Sequence, residues 1–389
     1  MGKLLESELG ALLETIIDYR GKTPKKLKGD WSESGIPALS AKNIKHGKIV
    51  NEESIRFVDE DLYARWMKAE VKANDILMTS EAPLGETFFV KTNNKLLLSQ
   101  RLFAIRANKS KINPKLLYYY FNTNLGKHEL QSRATGTTVG GIRQTALNKV
   151  IVHYPKGIKT QARIASVITT YDDLIENNEK RIKILEEMAQ RLYTEWFVKF
   201  KFPGHEKVKM VESGTEYGKI PEGWEVRRLG EDIELAYGKA LKEEDRIPGN
   251  VLVCGSGGIV GTHNKKFVSG PGIVIGRKGN AGSVFWVNDD FYPIDTAFFV
   301  KTNLSLVFAF YLLKAQNYVL GDAAVPGLNR EQTYRNQILV PLSGLIDRFA
   351  QKAELIRNLI AKISDKNKNL IKTRDLLIPQ LVTGKRGVK

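Results

Sequence analysis

The residues that could carry catalysis in this chain lie at spacings that do not support it. Gly21-Lys22-Thr23 resembles the end of a phosphate-binding loop, but that motif needs a further glycine where this chain has Ile16. Methyl transfer to adenine would need a Pro-Pro pair before an aromatic residue, and the chain has no adjacent prolines. The cluster Gly255-Ser256-Gly257-Gly258 lacks the strand–loop–helix spacing of a dinucleotide site. We therefore expect no cofactor.

Acidic, histidine and cysteine residues also lack the arrangement of a catalytic or metal centre. The pairs Asp172-Asp173 and Glu186-Glu187 fall on expected helix faces, where they would be solvated. The histidines are scattered, and the single cysteine, Cys254, cannot form an internal disulfide or a paired metal site. We expect no catalytic centre, no metal site and a reducing, cytoplasmic location.

Basic side chains are the groups whose chemistry is most evident. The 389 residues include 60 Lys+Arg and 43 Asp+Glu, for a formal net charge of +17. Such an excess favours a polyanionic partner. The alternative is a soluble protein whose charge is incidental. Hydrophobic residues make up 42% of the chain, which is enough for packed cores, and no apolar stretch is long enough for a membrane-spanning helix.

The basic residues are concentrated in loops of both halves of the chain. Phosphate contact uses Lys, Arg and small polar donors, whereas base reading uses Arg, Lys, Asn or Gln that reach a groove. Each single lysine has the alternative role of a solvated surface charge. The candidate DNA-binding residues are Lys22, Thr23, Lys25, Lys42, Asn43, Lys45, Arg133, Thr137, Arg143 and Gln144 in the first half, and Lys239, His263, Lys265, Lys266, Arg277, Lys278, Asn280 and Arg330 in the second.

These loops belong to two copies of one sequence pattern, which we expect to fold into two similar scaffolds that position them. Residues 75–90 and 272–287 each contain a short apolar strand, a polar loop, a glycine and a second apolar strand. The comparison aligns Arg277-Lys278 with Ser80-Glu81, so equivalent loops carry different side chains. Different loops on a shared scaffold suit two domains that read different sequences. We therefore favour Arg277, Lys278 and Asn280 as contacts to bases or phosphates.

Each copy continues into a long helical pattern with an apolar seam at alternating steps of four and three residues. The seams are Ile164, Ile168, Tyr171, Ile175, Asn178, Ile182, Leu185, Ala189, Leu192 and Trp196, and Phe349, Ala353, Ile356, Ile360, Ile363, Asn367, Leu370, Arg374, Leu377 and Leu381. Helices of about 33 residues would be about 50 Å long. We expect them to pair antiparallel, with Asn178 opposite Asn367 and Tyr171 opposite Arg374. Alternatively, each seam packs on its own globular unit.

Several short stretches are typical of one known family. They are Glu195-Trp196-Phe197-Val198-Lys199-Phe200 with Pro203-Gly204, Ile220-Pro221-Glu222-Gly223-Trp224-Glu225 with Leu229-Gly230, the strands at Asp75-Ile76-Leu77 and Gly272-Ile273-Val274, and residues 376–384. Over essentially its whole length the chain resembles the DNA-specificity subunits of type I restriction-modification systems. It departs from the family in opening its first copy at Leu9-Gly10 without a Pro-x-Gly-Trp, and in having Arg374 within the second seam.

The resemblance implies a non-catalytic subunit with two target-recognition domains, each reading half of a split sequence in double-stranded DNA. The helices would act as a ruler and as docking sites for methyltransferase subunits, two copies of which are expected, and restriction subunits would join the complex. A separation of about 50 Å corresponds to about one and a half turns of B-DNA, at about 34 Å per turn. A scaffolding coiled-coil protein and a self-sufficient DNA-modifying enzyme remain alternatives.

The expected fold is α+β with an internal pseudo-two-fold repeat. Two globular target-recognition domains, β-rich with small helices, are separated by two long helices that form an antiparallel coiled coil. The expected segments are a first target-recognition domain at 1–158, a first long helix at 159–200, a linker at 201–218, a second target-recognition domain at 219–344, and a second long helix with a C-terminal tail at 345–389. Shorter helices are expected at 114–122 and 305–315.

Overall fold

The chain forms two compact units in the computed structural model, which describes residues 4–136, 140–320 and 327–387. One unit consists of Met1–Asn177 with Asn367–Lys389, and the other of Asn178–Lys366. Each unit thus contains part of both long helices, a division that the sequence pattern did not indicate. Within the described ranges, no helix is long and apolar enough to cross a membrane.

In its described residues, the first unit contains eleven strands and five short α-helices before the first long helix. The strands are β1 (Leu4–Glu8), β2 (Leu13–Asp18), β3 (Ile36–Leu39), β4 (Ile44–Lys45), β5 (Lys48–Ile49), β6 (Arg56–Val58), β7 (Ile76–Thr79), β8 (Thr87–Phe89), β9 (Leu97–Leu98), β10 (Leu102–Ala107) and β11 (Ile151–Pro155). The helices are α1 (Leu9–Leu12), α2 (Glu60–Trp66), α3 (Pro114–Phe121), α4 (Asn124–Gln131), α5 (Gln144–Leu147) and the long α6 (Ile158–Tyr193), which ends in a π-helical turn at Thr194–Val198.

An antiparallel sheet of order β2-β10-β7-β8 is the centre of the first unit. Its middle strands are apolar on both faces because both faces are covered. Met78 and Ile105 belong to the hydrophobic cluster that includes α3. Leu77 and Ala104, the adjacent residues, belong to a second cluster on the other face, as the alternation of side chains along a strand requires. The sheet therefore lies between two hydrophobic clusters, one on each face.

The second unit contains eleven further strands. They are β12 (Met210–Glu212), β13 (Lys219–Pro221), β14 (Glu225–Arg228), β15 (Ile233–Tyr237), β16 (Val251–Gly255), β17 (Gly258–His263), β18 (Gly272–Gly276), β19 (Val284–Val287), β20 (Phe291–Pro293), β21 (Ala297–Thr302) and β22 (Gln337–Val340). The helices are α7 (Leu229–Asp232), α8 (Leu306–Lys314), α9 (Arg330–Tyr334) and the long α10 (Ser343–Val382).

The second unit repeats the topology of the first. Its central sheet has the order β15-β21-β18-β19, which corresponds strand for strand to β2-β10-β7-β8. The peripheral pair β14-β22 corresponds to β1-β11, and the parallel pairing of β16 with β20 to that of β3 with β9. The two expected short helices are present as α3 and α8, each started by a side-chain cap from Asn113 or Ser305. The predicted α+β fold with an internal repeat is confirmed.

The two long helices run antiparallel within the first unit. Asp172 of α6 pairs with Arg374 of α10, whereas Ile175, three residues later in α6, accepts a hydrogen bond from the earlier residue Asn367. Arg374 thus pairs with Asp172, which follows Tyr171 in the sequence. The predicted neighbour of Arg374 is Tyr171 itself. The pairing of Asn178 with Asn367 stays a prediction. At the end of the seam, Ile164 and Ile168 share a hydrophobic cluster with residues 378, 381 and 382.

The family-typical stretches at residues 195–204 and 220–230 contribute to the core of the second unit. Trp196 and Phe197, in the π-helical turn, pack on Phe349 of α10. Trp224 stacks on Phe202 at 5.6 Å between ring centroids. These aromatic side chains explain why the stretches are rich in Trp and Phe: each contributes a large buried surface where a long helix meets the globular part.

Candidate nucleic-acid interface

In the second unit, loops from three strands of the central sheet meet at one end of that sheet. Tyr237 ends β15 in register with Phe298, while Gly276 at the end of β18 pairs with Ala297 at the start of β21. The amide of Arg277 donates to the carbonyl of Thr296 at 2.9 Å, and the carbonyl of Arg277 accepts from the amide of Leu328 at 2.8 Å. We call this end, formed by residues 237–239, 277–280, 294–297 and 327–330, the second loop edge.

Two arginines of the second loop edge lie over one exposed tyrosine. The guanidinium carbons of Arg277 and Arg330 are each 4.9 Å from the centroid of the Tyr237 ring. Arg277 also donates from Nη1 to the carbonyl of Asp295 at 3.0 Å. Attraction between a cation and a ring face holds a guanidinium without using all its donors. Both arginines are therefore oriented in advance and keep donors for a further acceptor.

The first unit has the same scaffold at the matching place. The amide of Ser80 donates to the carbonyl of Arg101, and the carbonyl of Ser80 accepts from the amide of Ile142, both at 2.9 Å. Glu81 forms a bridge with Gly141, as Lys278 does with Gly327. These bonds confirm the alignment of Ser80-Glu81 with Arg277-Lys278. We call residues 18–20, 80–81, 101–103 and 141–144 the first loop edge.

In each edge an arginine lies near a phenylalanine, and the two phenylalanines are at equivalent positions. The two arginines, however, follow different strands of the sheet. In the first unit, Arg20 follows β2 and lies 4.1 Å from the Phe103 ring centroid, with its guanidinium paired to Asp18 at 2.7 Å. In the second unit, Arg277 follows β18 and lies 5.8 Å from the Phe298 ring centroid. The two repeats share one scaffold. They differ in the strand that the arginine follows and in the group with which its guanidinium pairs.

Of the predicted residues in the second unit, Arg277, Lys278, Asn280, Arg330 and Lys239 come together at the second loop edge. Lys239, Lys278 and Asn280 are exposed. Lys265 and Lys266 are exposed in the segment after β17, where Lys266 pairs with Asp290 at 2.8 Å.

The predicted residues of the first unit are more dispersed. Arg143 is exposed as the N-cap of α5, which Gln144 begins, and both belong to the first loop edge. Arg133 is tied to Glu129 at 2.5 Å. The others are spread over the loop after β2 and the segment around β4: Lys22, Thr23, Lys25, Lys42 and Lys45.

Lys22 is held by the protein itself. Its Nζ donates to the carbonyl of Trp66 at 2.7 Å and lies 4.4 Å from the Tyr19 ring centroid. Burial, and secondarily the charge of Lys68, lower the pKa of the Lys22 ammonium. By contrast, Lys25, Lys42 and Lys45 are exposed.

Two predicted contacts do not fit the structure. Asn43 is 1% exposed, and its side chain bonds to Ser40, Ser54 and nearby backbone. His263 is 7% exposed, and its Nδ1 accepts from the amide of Ile247 at 3.1 Å. Both were selected for their basic or polar neighbours in sequence, but both are internal hydrogen-bonding groups. Thr137 lies outside the described residues.

Sequence reasoning missed Glu81, Arg101 and Tyr237 as parts of the edges. Arg101 pairs with Glu81 at 3.1 Å from Nε to Oε1. Arg101 precedes β10, and its position matches that of Thr296 before β21. The alignment of the two copies could have identified these residues. A search for clusters of basic residues does not select a single arginine that lies beside a glutamate.

Two copies of one domain, each with arginines in a loop edge at one end of its central sheet, suit a duplicated DNA-recognition protein. The family model described as "Type I restriction modification DNA specificity domain" matches residues 6–187 and 221–341. The chain belongs to this family, that of the DNA-specificity subunits of type I restriction-modification systems. The two matched stretches coincide with the two copies of the repeat.

Individual relatives agree with this assignment. The MjaIX specificity subunit of Methanocaldococcus jannaschii is 26% identical over 403 residues, covering 95% of this chain and 91% of its own length. The HindI specificity subunit of Haemophilus influenzae is 21% identical and covers 82% of this chain and 87% of its own length. Among solved structures, the type I S subunit from M. genitalium superposes with a TM-score of 0.57 at 15% identity, over 98% of this chain and 96% of that one. This last similarity shows the shared fold.

Proposed function

We propose that this chain recognises a two-part DNA target, with one part bound by each unit. The observation that carries the proposal is the pair of loop edges, which share backbone bonds and strand order but differ in their charged side chains. A single symmetric sequence would favour identical edges. Two different edges on one scaffold suit an asymmetric target with two unlike halves.

The chemistry of the second loop edge suits a DNA groove. Arginine forms paired hydrogen bonds with the O6 and N7 of guanine, and lysine and arginine both neutralise phosphates. Arg277 and Arg330 are held over Tyr237, which lowers the entropy lost when they bind. We assign base contact to Arg277, Lys278 and Asn280, and phosphate contact to Arg330 and Lys239. Lys25, Lys42, Lys45 and Arg143 are the corresponding candidates in the first unit.

We further propose that α6 and α10 set the spacing between the half-sites and bind methyltransferase subunits, two per complex. The support is their length: the 36 residues of α6 span about 54 Å. Restriction subunits would join through the complex, and the chain itself would be non-catalytic. The relatives that carry the name specificity subunit of a type I restriction enzyme support these partners.

A footprint on DNA tests the proposal. The full chain, with methyltransferase subunits, is bound to a duplex carrying its target, and protection from hydroxyl radicals is mapped on both strands. We expect two protected segments separated by less protected DNA. Substituting Arg277→Ala with Arg330→Ala should remove one segment and leave the other. Lys301→Ala, at the opposite end of the same sheet, is the matched control. A single short continuous footprint would contradict the proposal.

A further inference from the structure

One position in the two loop edges carries opposite charges on the same backbone. Glu81 and Lys278 each stand two residues after the second inner strand of the central sheet, β7 or β18. Each is bridged to a glycine, Gly141 or Gly327. The residue before each accepts a hydrogen bond from an equivalent amide, that of Ile142 or Leu328. The two side chains therefore leave the fold at the same place, and only their chemistry differs.

The two chemistries are mutually exclusive for recognition. A carboxylate accepts hydrogen bonds only, and an ammonium donates them only. In the major groove, cytosine N4 and adenine N6 are donors, whereas guanine O6 and N7 are acceptors. Glu81 can satisfy a base that presents an amino group, and Lys278 can satisfy guanine. The carboxylate of Glu81 is repelled by the O6 and N7 of guanine, and the ammonium of Lys278 is repelled by the amino group of cytosine. Adenine also presents the acceptor N7, so Lys278 discriminates against adenine less than against cytosine.

Neighbouring residues reinforce the difference. The side chain of Glu81 lies beside that of Arg101, and both are well exposed, at 40% and 54%. The position that matches Arg101 in the second unit is Thr296, which has no charge. The first edge thus presents an acceptor next to donors, whereas the second presents the ammonium of Lys278 with the donors of Arg277. At this matched position the first edge has a carboxylate and the second an ammonium; the exposed carboxylate of the second edge, Asp295, stands at a different position, next to Thr296.

From this juxtaposition we propose that Glu81 and Lys278 are matched specificity-determining residues. Glu81 selects a base with an exocyclic amino group, cytosine or adenine, in one half-site, and Lys278 selects guanine at the matching place in the other. The inference rests on the proposed two-part recognition of DNA. It goes further by assigning one base position in each half-site to one side chain.

Selection from randomised duplexes tests the assignment. The full chain, assembled with methyltransferase subunits, is mixed with the library, and the bound duplexes are sequenced. Four variants are compared with the unaltered chain: Glu81→Lys, Glu81→Gln, Arg101→Gln and Lys278→Glu. Matched controls are Glu14→Lys and Lys301→Glu, which reverse exposed charges on the same two sheets at the ends away from the loop edges. Thermal unfolding of every variant confirms that it is folded.

Glu81→Lys should change the preference at a single position of one half-site from cytosine or adenine to guanine. Lys278→Glu should produce the reverse change in the other half-site. Each substitution should change the ratio of affinities for duplexes that carry the competing bases at this position by about tenfold, as expected for one base contact. Glu81→Gln should weaken the preference, because an amide both donates and accepts. Arg101→Gln should weaken binding while keeping the preference for an amino-bearing base, and the controls should leave both halves unchanged.

If the Glu81→Lys and Lys278→Glu variants fold, select the same two-part target and keep their base preferences, the inference is wrong. The proposed function would still stand in that case. Loss of the preference in Arg101→Gln would also overturn the inference, because Glu81 would then act only by positioning Arg101. If the unaltered chain selects no two-part sequence, the proposed function itself fails, and the inference fails with it.

Discussion

At the scale of the residue, two of the side chains proposed to contact DNA in the second unit are oriented by the protein itself. Tyr237 is 47% exposed, although its ring lies beneath two guanidinium groups. A large exposed aromatic side chain is better explained by this holding role than by core packing. Tyr237 therefore helps to orient the two guanidinium groups, and Arg330 is also paired with Glu331 at 3.2 Å.

Replacing Tyr237 tests this role. Tyr237→Ala should weaken DNA binding by up to about five- to thirtyfold, because Arg277 and Arg330 both lose a cation–π contact worth roughly 0.5–1 kcal/mol each. Tyr237→Phe keeps the ring and should bind nearly as well as the unaltered chain. Equilibrium binding to a fluorescent target duplex measures both. Equal losses in the two variants would assign the effect to the hydroxyl group instead.

Lysines outside the edges are expected to act through phosphate alone. Lys265→Gln should weaken binding to all sequences and reduce the slope of log affinity against log salt concentration by about one. Lys266→Gln should have a smaller effect, because its ammonium is already paired with Asp290. Titrations at several salt concentrations measure the slope. An unchanged slope in Lys265→Gln would remove this lysine from the DNA interface.

At the scale of the element, one polar cluster joins the long helices in the first unit, beside their apolar contacts and the hydrogen bond from Asn367 to Ile175. Asp172 accepts from Arg374 at 2.9 Å and from the hydroxyl of Tyr119 at 2.6 Å, so it joins α6 to α10 and α3. Its side chain is 25% exposed. In an otherwise apolar seam, such a cluster favours one register over the alternatives.

Removing the shared acceptor should destabilise the protein. Asp172→Ala leaves the half-buried guanidinium and the phenol hydroxyl without this acceptor, and we expect it to lower the free energy of unfolding by about 1–3 kcal/mol. Asp375→Ala removes the other partner of Arg374, an exposed carboxylate, and should cost less than about 1 kcal/mol. Urea unfolding monitored by circular dichroism compares them. Similar losses would show that the cluster does not join the helices.

The thiol of Cys254 reports on the opening of the second unit. Cys254 is fully buried on β16, and burial raises its pKa to about 12. Only the thiolate reacts with alkylating reagents, so in the folded protein at pH 8 labelling should be slow and should follow unfolding. The pKa of the Cys254 thiol is higher in the folded protein than in the unfolded chain. Its contribution to the free energy of unfolding is therefore fully present at neutral pH, and it is lost as the pH rises above the pKa that the thiol has in the unfolded chain. Fast labelling without unfolding would contradict the buried position.

At the scale of the whole molecule, sequence patterns predicted the elements better than the interface. The repeat and the helical seams could be recognised because hydrophobic periodicity is local and survives without knowledge of contacts. Asn43 and His263 could not be assigned correctly, because their hydrogen bonds form only when the turns and strands around them fold: Asn43 bonds within residues 40–54 and His263 bonds to the amide of Ile247. Glu81 and Arg101 come together only when β7 and β10 pair, so no local pattern reveals them.

The duplication explains how one chain can recognise an asymmetric target. The scaffold bonds at the two edges are the same, while the charged groups come from different strands and have opposite signs at one position. Changes in loop residues can therefore alter one half of the target without disturbing the other half or the sheets. We therefore expect specificity and stability to be carried by separate sets of residues in each unit.

The central claim is that this chain determines which two-part DNA sequence is modified. Mapping methylated bases in DNA from cells that carry the chain with its methyltransferase partners tests it most directly. We predict a motif of two short specified segments separated by a spacer of fixed length, absent when the chain is deleted and altered in only one segment by Lys278→Glu. A continuous motif, or methylation that persists at the same sites without the chain, would contradict the account.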